Sequence, residues 1–218
     1  MATTHYIQTD PLTWCVQTGQ RNSHNSIIWP ITVTDASRSA PRVQIGKDAN
    51  VSLRVPFGVS QFSPDSKKSL DFSISPWQPD ILEFLEKIDN MIVNYIFEHQ
   101  ANFFKKPYSS VSALMENYHG LVSKREGYDS LLKTKVGDKV SIFKIDEHGS
   151  SKGTLDDIKA GAQAVPIISP SSIWTMGSKC GVSCNTSALM LWPASEKAMG
   201  DLFQTDLAFG TPMVECQA

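Results

Sequence analysis

Ser69-Leu70-Asp71-Phe72-Ser73-Ile74 and, shortly after it, Ile81-Leu82-Glu83-Phe84-Leu85-Glu86-Lys87-Ile88-Asp89-Asn90-Met91-Ile92-Val93-Asn94-Tyr95-Ile96 are written in two different periods. The first alternates apolar and polar residues, so it predicts a strand with one buried face. In the second, Ile81, Leu85, Ile88, Met91, Ile92, Tyr95 and Ile96 recur every three to four residues, while Glu83, Glu86, Lys87, Asn90 and Asn94 take much of the other side. That spacing predicts an amphipathic helix over 79–103. Pro79 and Asp80 mark its start, because proline suits the first turn and a carboxylate favours the positive end of the helix.

Outward from this junction the chain is rich in strands. Leu12–Val16, Ser26–Val33, Arg42–Ile45 and Val51–Val55 hold β-branched and aromatic residues separated by turn-forming stretches. Pro30 inside the second run predicts an edge or bulged position. A shorter helix is expected over 110–122, capped by Ser109 or Ser110 and with Gly120 near its end. After Gly127 the strand candidates are Leu131–Val136, Lys139–Ile145, Val165–Ile168, Ile173–Met176 and Ala188–Trp192, with a loop or short helix over 152–162. The organisation read from this is a single domain over 1–218: N-terminal strands (1–76), a helical insertion (77–127), C-terminal strands (128–193) and a docked tail (194–218) that contains Phe203, Leu207 and Phe209.

Composition narrows the function. With 218 residues, 41% of them hydrophobic and 19% charged, the chain can bury a core without disulfides or metals. Its longest apolar stretch, over 81–96, is interrupted by charges, so no bilayer-spanning helix is expected. The first residues, Met1-Ala2-Thr3-Thr4-His5, lack a basic and an apolar signal region. The expected location is therefore intracellular, the nucleus or a cytoplasmic replication site, and the four cysteines are expected to be reduced. Catalytic signatures are missing. The chain has no GxSxG elbow, phosphate loop, CxxC pair or His–Cys cluster, and Cys180 and Cys184 lack two further ligands at zinc spacing. No enzyme activity, metal or cofactor is expected.

The net charge of −2 conceals a segregation. Residues 104–144 carry 8 basic and 4 acidic side chains, whereas residues 145–218 carry 4 basic and 8 acidic ones. The basic segment holds Lys133 and Lys135, which share one strand face, followed by Phe143 and Lys144. Single-stranded nucleic acid is held by lysines that track phosphates and by rings on which bases stack. The alternative places Phe143 in the core and leaves the lysines as a solvated edge that discourages strand pairing.

Val55-Pro56-Phe57-Gly58-Val59-Ser60-Gln61-Phe62, the strand over 69–74, the helix with Phe84-Leu85, Ile88-Asp89 and Ile92, then Tyr128-Asp129-Ser130-Leu131-Leu132-Lys133-Thr134-Lys135-Val136, Ser172-Ile173-Trp174 and Cys180-Gly181-Val182-Ser183 follow in a characteristic order. In order and spacing, over about residues 51–192, this resembles the phage-type single-stranded DNA-binding proteins of nucleocytoplasmic large DNA viruses. The resemblance implies a mainly β fold with inserted helices (α+β), an OB-like, partly open β-barrel with a long amphipathic helix. It also implies a role in coating single strands during DNA replication, recombination or repair, with single-stranded DNA and replication proteins as partners. Arg54, Lys133, Lys135, Phe143, Lys144 and Trp174 are the expected contact set, Trp174 as a stacking ring. The chain departs from the pattern in two places. Its last twelve residues carry one carboxylate instead of an acidic tail, and Cys184–Trp192 carries no positive charge. These departures keep open a second reading, a self-assembling homo-oligomer or filament, or a capsid-associated subunit, on the same scaffold.

Overall fold

The computed structural model describes residues 3–21, 26–34, 39–64 and 66–192; the expected docked tail over 194–218 lies outside them. The principal elements are β1 (Ile27–Val33), β2 (Val43–Gln44), β3 (Leu53–Arg54), β4 (Lys68–Ile74), α1 (Pro79–Glu98), α2 (Val111–Met115), β5 (Ser130–Asp146), β6 (Gly149–Lys152), β7 (Gln163–Met176) and β8 (Lys179–Trp192).

Five of these strands close on themselves. β3 pairs with β4, β4 with β5, β5 with β8, β8 with β7, and β7 returns to β3. All of these pairings are antiparallel except β5–β8, which is parallel. In chain order the ring therefore reads first, second, third, fifth, fourth and back to first. The seam at β3 is thin. Only Arg54↔Ser73, Gln163↔Arg54 and Ala164↔Leu53 hold it, so the barrel is almost open there.

Alternation decides which side chains fill the ring. Leu70, Phe72 and Ile74 of β4 face inward with Leu132, Thr134 and Val136 of β5, and all six are buried. Thr134 is satisfied in this interior, since its Oγ1 donates to the Leu70 carbonyl at 2.6 Å and lies 2.8 Å from Thr186 Oγ1. A buried hydroxyl without such partners would be costly. α1 adds Ile81, Phe84, Leu85, Ile88, Ile92, Val93 and Ile96 to the same core cluster. It ends at Glu98, and a single 3-10 turn over Gln100–Asn102 completes the stretch predicted as helix.

Several expected elements differ. The two strands predicted over 131–136 and 139–145 form one 17-residue strand, β5, with a register shift between Val136 and Ser141. Gly137 and Asp138, which look like a turn, form a bulge because β8 stays paired on both sides of them. β7 likewise joins two predicted strands. The second helix is short. Ser110 caps it, its Oγ accepting the Ala113 N–H at 3.2 Å, and the chain then leaves at Met115. The reason lies beyond it: Tyr118 and His119 pair with Cys180 and Gly181 of β8, and the next amides go to Asp89. Pro30 is not at an edge. It stands opposite Ser172 of β7, and its carbonyl accepts the Gln17 N–H at 2.8 Å from the other side.

Gly181 shows how tightly the outer layer is fitted. A Cβ at this position would sit 2.5 Å from the His119 carbonyl and 2.6 Å from the Trp174 ring. Gly181→Ala is expected to lower stability by about 1–3 kcal/mol through overpacking. Chemical denaturation measures this, and a loss below about 0.5 kcal/mol would show that both the His119 backbone and the Trp174 ring give way.

Candidate nucleic-acid interface

The outer face of the barrel carries the charge. Lys133 stands opposite Asp71, Lys135 opposite Ser69, and Arg54 opposite Ser73, so these three basic residues share the solvent side of β3, β4 and β5. All three are exposed. Lys135 Nζ donates to Ser69 Oγ at 2.7 Å. Asp71 sits between the lysines: burial pushes its carboxyl above the usual range, and Lys133 and Lys135 pull it back down.

At the bulge this face opens into a groove. One cavity of about 440 Å³ is lined by Lys67, Lys135, Lys139, Asn185 and Ser187, among others. A second, of about 630 Å³, includes Lys68, Lys139, Lys152 and Phe143. Lys139 and Val140 belong to both, so the two are continuous around the bulge. Lys68 is paired with Asp138 at 2.7 Å. Among the described residues, Lys67, Lys139 and Lys152 have no ion pair and are left to attract an anion. On the β8 side the groove is uncharged: Asn185 Nδ2 donates to Ser171 Oγ at 3.0 Å and the Ser187 hydroxyl to the Ile167 carbonyl at 3.2 Å. This is where the absence of positive charge in Cys184–Trp192 falls in space.

Phe143 lies on the outer face, 48% exposed, and is not a core residue. Lys152 is its partner across the β5–β6 hairpin and Met190 its partner on β8. Trp174 is on the outer face too, but elsewhere. It pairs with Gly181, four residues along β8 from Asn185, which is about 13 Å at strand rise. One side of its ring is taken by His119, at a centroid distance of 5.7 Å and 29° between planes. Lys144 is not brought into the group. It points to the Ile142 side of β5, where Asp157 Oδ1 accepts from its Nζ at 3.0 Å. The strand alternation that separates Lys144 from Phe143 also turns it towards the turn at Leu155–Asp157.

Sequence reasoning missed Lys67, Lys68 and Lys152. The adjacent Lys67-Lys68 pair just before an alternating strand was a signal, whereas the approach of Lys152 depends on hairpin register. It also missed four exposed rings on loops next to the barrel: Phe57, Phe62, Tyr128 and Trp77, the last 91% exposed. Trp77 and Tyr128 follow and precede the paired residues Ile74 and Ser130, so they emerge at one end of the β4–β5 pair, opposite the bulge.

Cys180 and Cys184 are buried free thiols. Burial pushes Cys180 up to about 12 and raises Cys184 as well, so both stay protonated and unreactive. Among the described residues no three His, Cys, Asp or Glu side chains are grouped to hold a metal ion, and no helix is long and apolar enough to cross a membrane.

No family model matches the chain, and no curated protein matches it. Among solved structures it is similar to the single-stranded DNA-binding protein from bacteriophage Enc34 in complex with ssDNA. That match has a TM-score of 0.45 and 9% identity, over 83% of this chain and 97% of that one. It is also similar to a C-terminal truncation of the same phage protein, with a TM-score of 0.46 and 9% identity, over 82% and 96% of the two chains.

Proposed function

We propose that this chain is a non-catalytic single-stranded DNA-binding protein on an OB-type barrel, one that coats single strands during replication, recombination or repair. The observation that carries the reading is the continuous groove around the β5 bulge, where Lys67, Lys135, Lys139 and Lys152 converge beside the exposed ring of Phe143. Lysines at this spacing suit a flexible phosphate backbone, and exposed rings suit unpaired bases. The first-second-third-fifth-fourth strand order, with the third and fifth strands parallel, supports the OB-type assignment, whose strand faces and loops hold oligonucleotides. The bulk charge of −2 does not oppose this: Asp80, Glu83 and Glu86 line a different cleft along α1, and the groove's own carboxylates, Asp138 and Asp156, stand against Lys67, Lys68, Lys135, Lys139 and Lys152.

The test is a fluorescence titration with a single-stranded oligonucleotide across a range of salt. Binding that weakens as salt rises is expected. Absence of binding at low salt sinks the proposal. If binding is absent and large nuclease-insensitive particles form instead, the assembly reading replaces it.

Asp71 gives a sharper check. Its carboxyl shares the outer face with Lys133 and Lys135, within their electrostatic reach, and so repels a phosphate held there. Asp71→Asn is expected to tighten oligonucleotide binding by about 3- to 10-fold at low salt, as removal of one like charge in a semi-exposed site. Acidification through the raised Asp71 range acts in the same direction, and the variant is expected to lose that part of the pH response. Unchanged affinity in Asp71→Asn would place the strand away from β4 and β5.

A further inference from the structure

Phe143 borders two spaces. On one side is the lysine cleft; on the other is an apolar pocket of about 310 Å³ on the outer face of the barrel. The pocket is built by register. Lys152, Phe143, Met190 and Val165 stand side by side across β6, β5, β8 and β7. One step along the strands, Ala188, Ile167 and Gln44 form the next row across β8, β7 and β2. Side chains paired across strands point to the same face, so these two rows form one floor. Most of it is hydrocarbon and sulfur, with the Gln44 amide at one edge and Ser150 at the other. Gln44 Nε2 donates to the Gly46 carbonyl at 3.1 Å, which leaves Oε1 to accept.

We infer that this pocket receives a single nucleobase, turned out of the strand whose phosphates lie along Lys139 and Lys152. The assignment rests on the proposed single-strand binding. Its size is at the low end for ligand sites, room for one planar heterocycle rather than a peptide segment. Lys152 beside Phe143 places a cation at the entrance, so a phosphate held there puts the attached base over the ring and Met190. Gln44 Oε1 at the far edge takes an N–H from the rim of the base. An apolar partner without charge would have no use for the lysine at the mouth, and an anion alone would have no use for the floor.

Two oligonucleotides of equal length, one of thymidines and one an abasic deoxyribose-phosphate chain, separate the backbone contribution from the base contribution. Binding to the full chain is followed by fluorescence anisotropy. Ala188→Phe fills the floor without changing charge. Met190→Glu, at a half-exposed position, guards against a folding defect in the first variant. The wild type is expected to prefer the thymidine strand, and each variant to lose about 10-fold of that preference. For Ala188→Phe the abasic affinity stays unchanged. Equal preference in wild type and both variants overturns the pocket while the binding function stands. Failure of the wild type to bind either strand overturns the function, and the pocket with it. A wild-type dimer that Met190→Glu splits would assign the floor to a second copy of the chain, against the proposal.

Discussion

A chain carrying Lys67→Gln, Lys135→Gln and Lys139→Gln together is expected to bind single-stranded oligonucleotide about 100-fold more weakly than the wild type at about 0.1 M salt, with its fold intact. The estimate follows from counterion release. Each lysine–phosphate contact on a single strand contributes about 0.7 to the slope of log affinity against log salt, so three contribute about 2. Extrapolated from 1 M salt, where this contribution vanishes, that is about two decades at 0.1 M. The three residues are chosen because they line one cavity, and none of them has a carboxylate partner among the described residues. Lys68 is a poorer choice, because its ion pair with Asp138 already spends part of its charge. Stability should hold to within about 0.5 kcal/mol, as for exposed side chains that support no buried partner. A suitable control is Lys105→Gln with Lys106→Gln, two exposed lysines that follow α1 and line neither cavity. The comparison is made by anisotropy at four or five salt concentrations. A slope that does not change in the triple variant, or that changes equally in the control, would mean that the strand does not use the bulge groove.

The groove could be read only in part from the sequence, and the reason is physical. Local periods report which face of an element is buried. Leu70, Phe72 and Ile74 against Ser69 and Asp71 announce an inward and an outward side, and the 81–96 pattern announces a helix with a buried stripe. On the same logic Lys133 and Lys135 had to share a face. Periods say nothing of which strand lies beside which. The parallel pairing of β5 with β8 crosses the whole of β7 in the chain, and its register shift at Gly137-Asp138 looks locally like a turn between two strands. Lys139, on the bulge, and Lys152, on the hairpin, therefore could not be placed beside Lys135 by inspection. The ion pair of Lys144 was not legible for a related reason. The residue's alternation from Phe143 was legible, but the carboxylate waiting on its side, Asp157, is brought there by a turn that the sequence left as loop or helix. Trp174, the expected stacking ring, has one face against His119, and only the hairpin register puts it opposite Gly181. Gly181 leaves room for that ring against the barrel, with His119 on it.

The other large effect lies in the core, at Asp89. This carboxylate, 8% exposed on the inward face of α1, accepts the Leu121 N–H at 2.9 Å on both oxygens, the Val122 N–H at 3.3 Å and the Tyr118 hydroxyl at 2.8 Å. It thus takes up backbone donors that would otherwise extend the short second helix, and so holds the segment at 118–122 against α1. Gly120 is part of the arrangement, since a Cβ there would lie 2.4 Å from Asp89 Oδ2. Asp89→Ala strands two amides and a phenol in the interior, and is expected to cost about 3–4 kcal/mol in equilibrium denaturation, near the upper range for single substitutions. The pH dependence has a definite sign. Burial raises the Asp89 carboxyl above its ordinary value, and the three donors only partly offset that. The folded state therefore holds the proton to higher pH than the unfolded chain, whose carboxyl titrates near about 3.9. The contribution of this group to stability is greatest below that pH and declines as pH rises through the raised folded value. Asp89→Asn has no proton to lose, so its deficit relative to the wild type should narrow as pH rises across that window. Denaturation of both proteins from pH 4 upward measures the gap. If the gap widened with pH, the hydrogen bonds would outweigh burial at this carboxylate, and the ionised form would be the one the fold prefers.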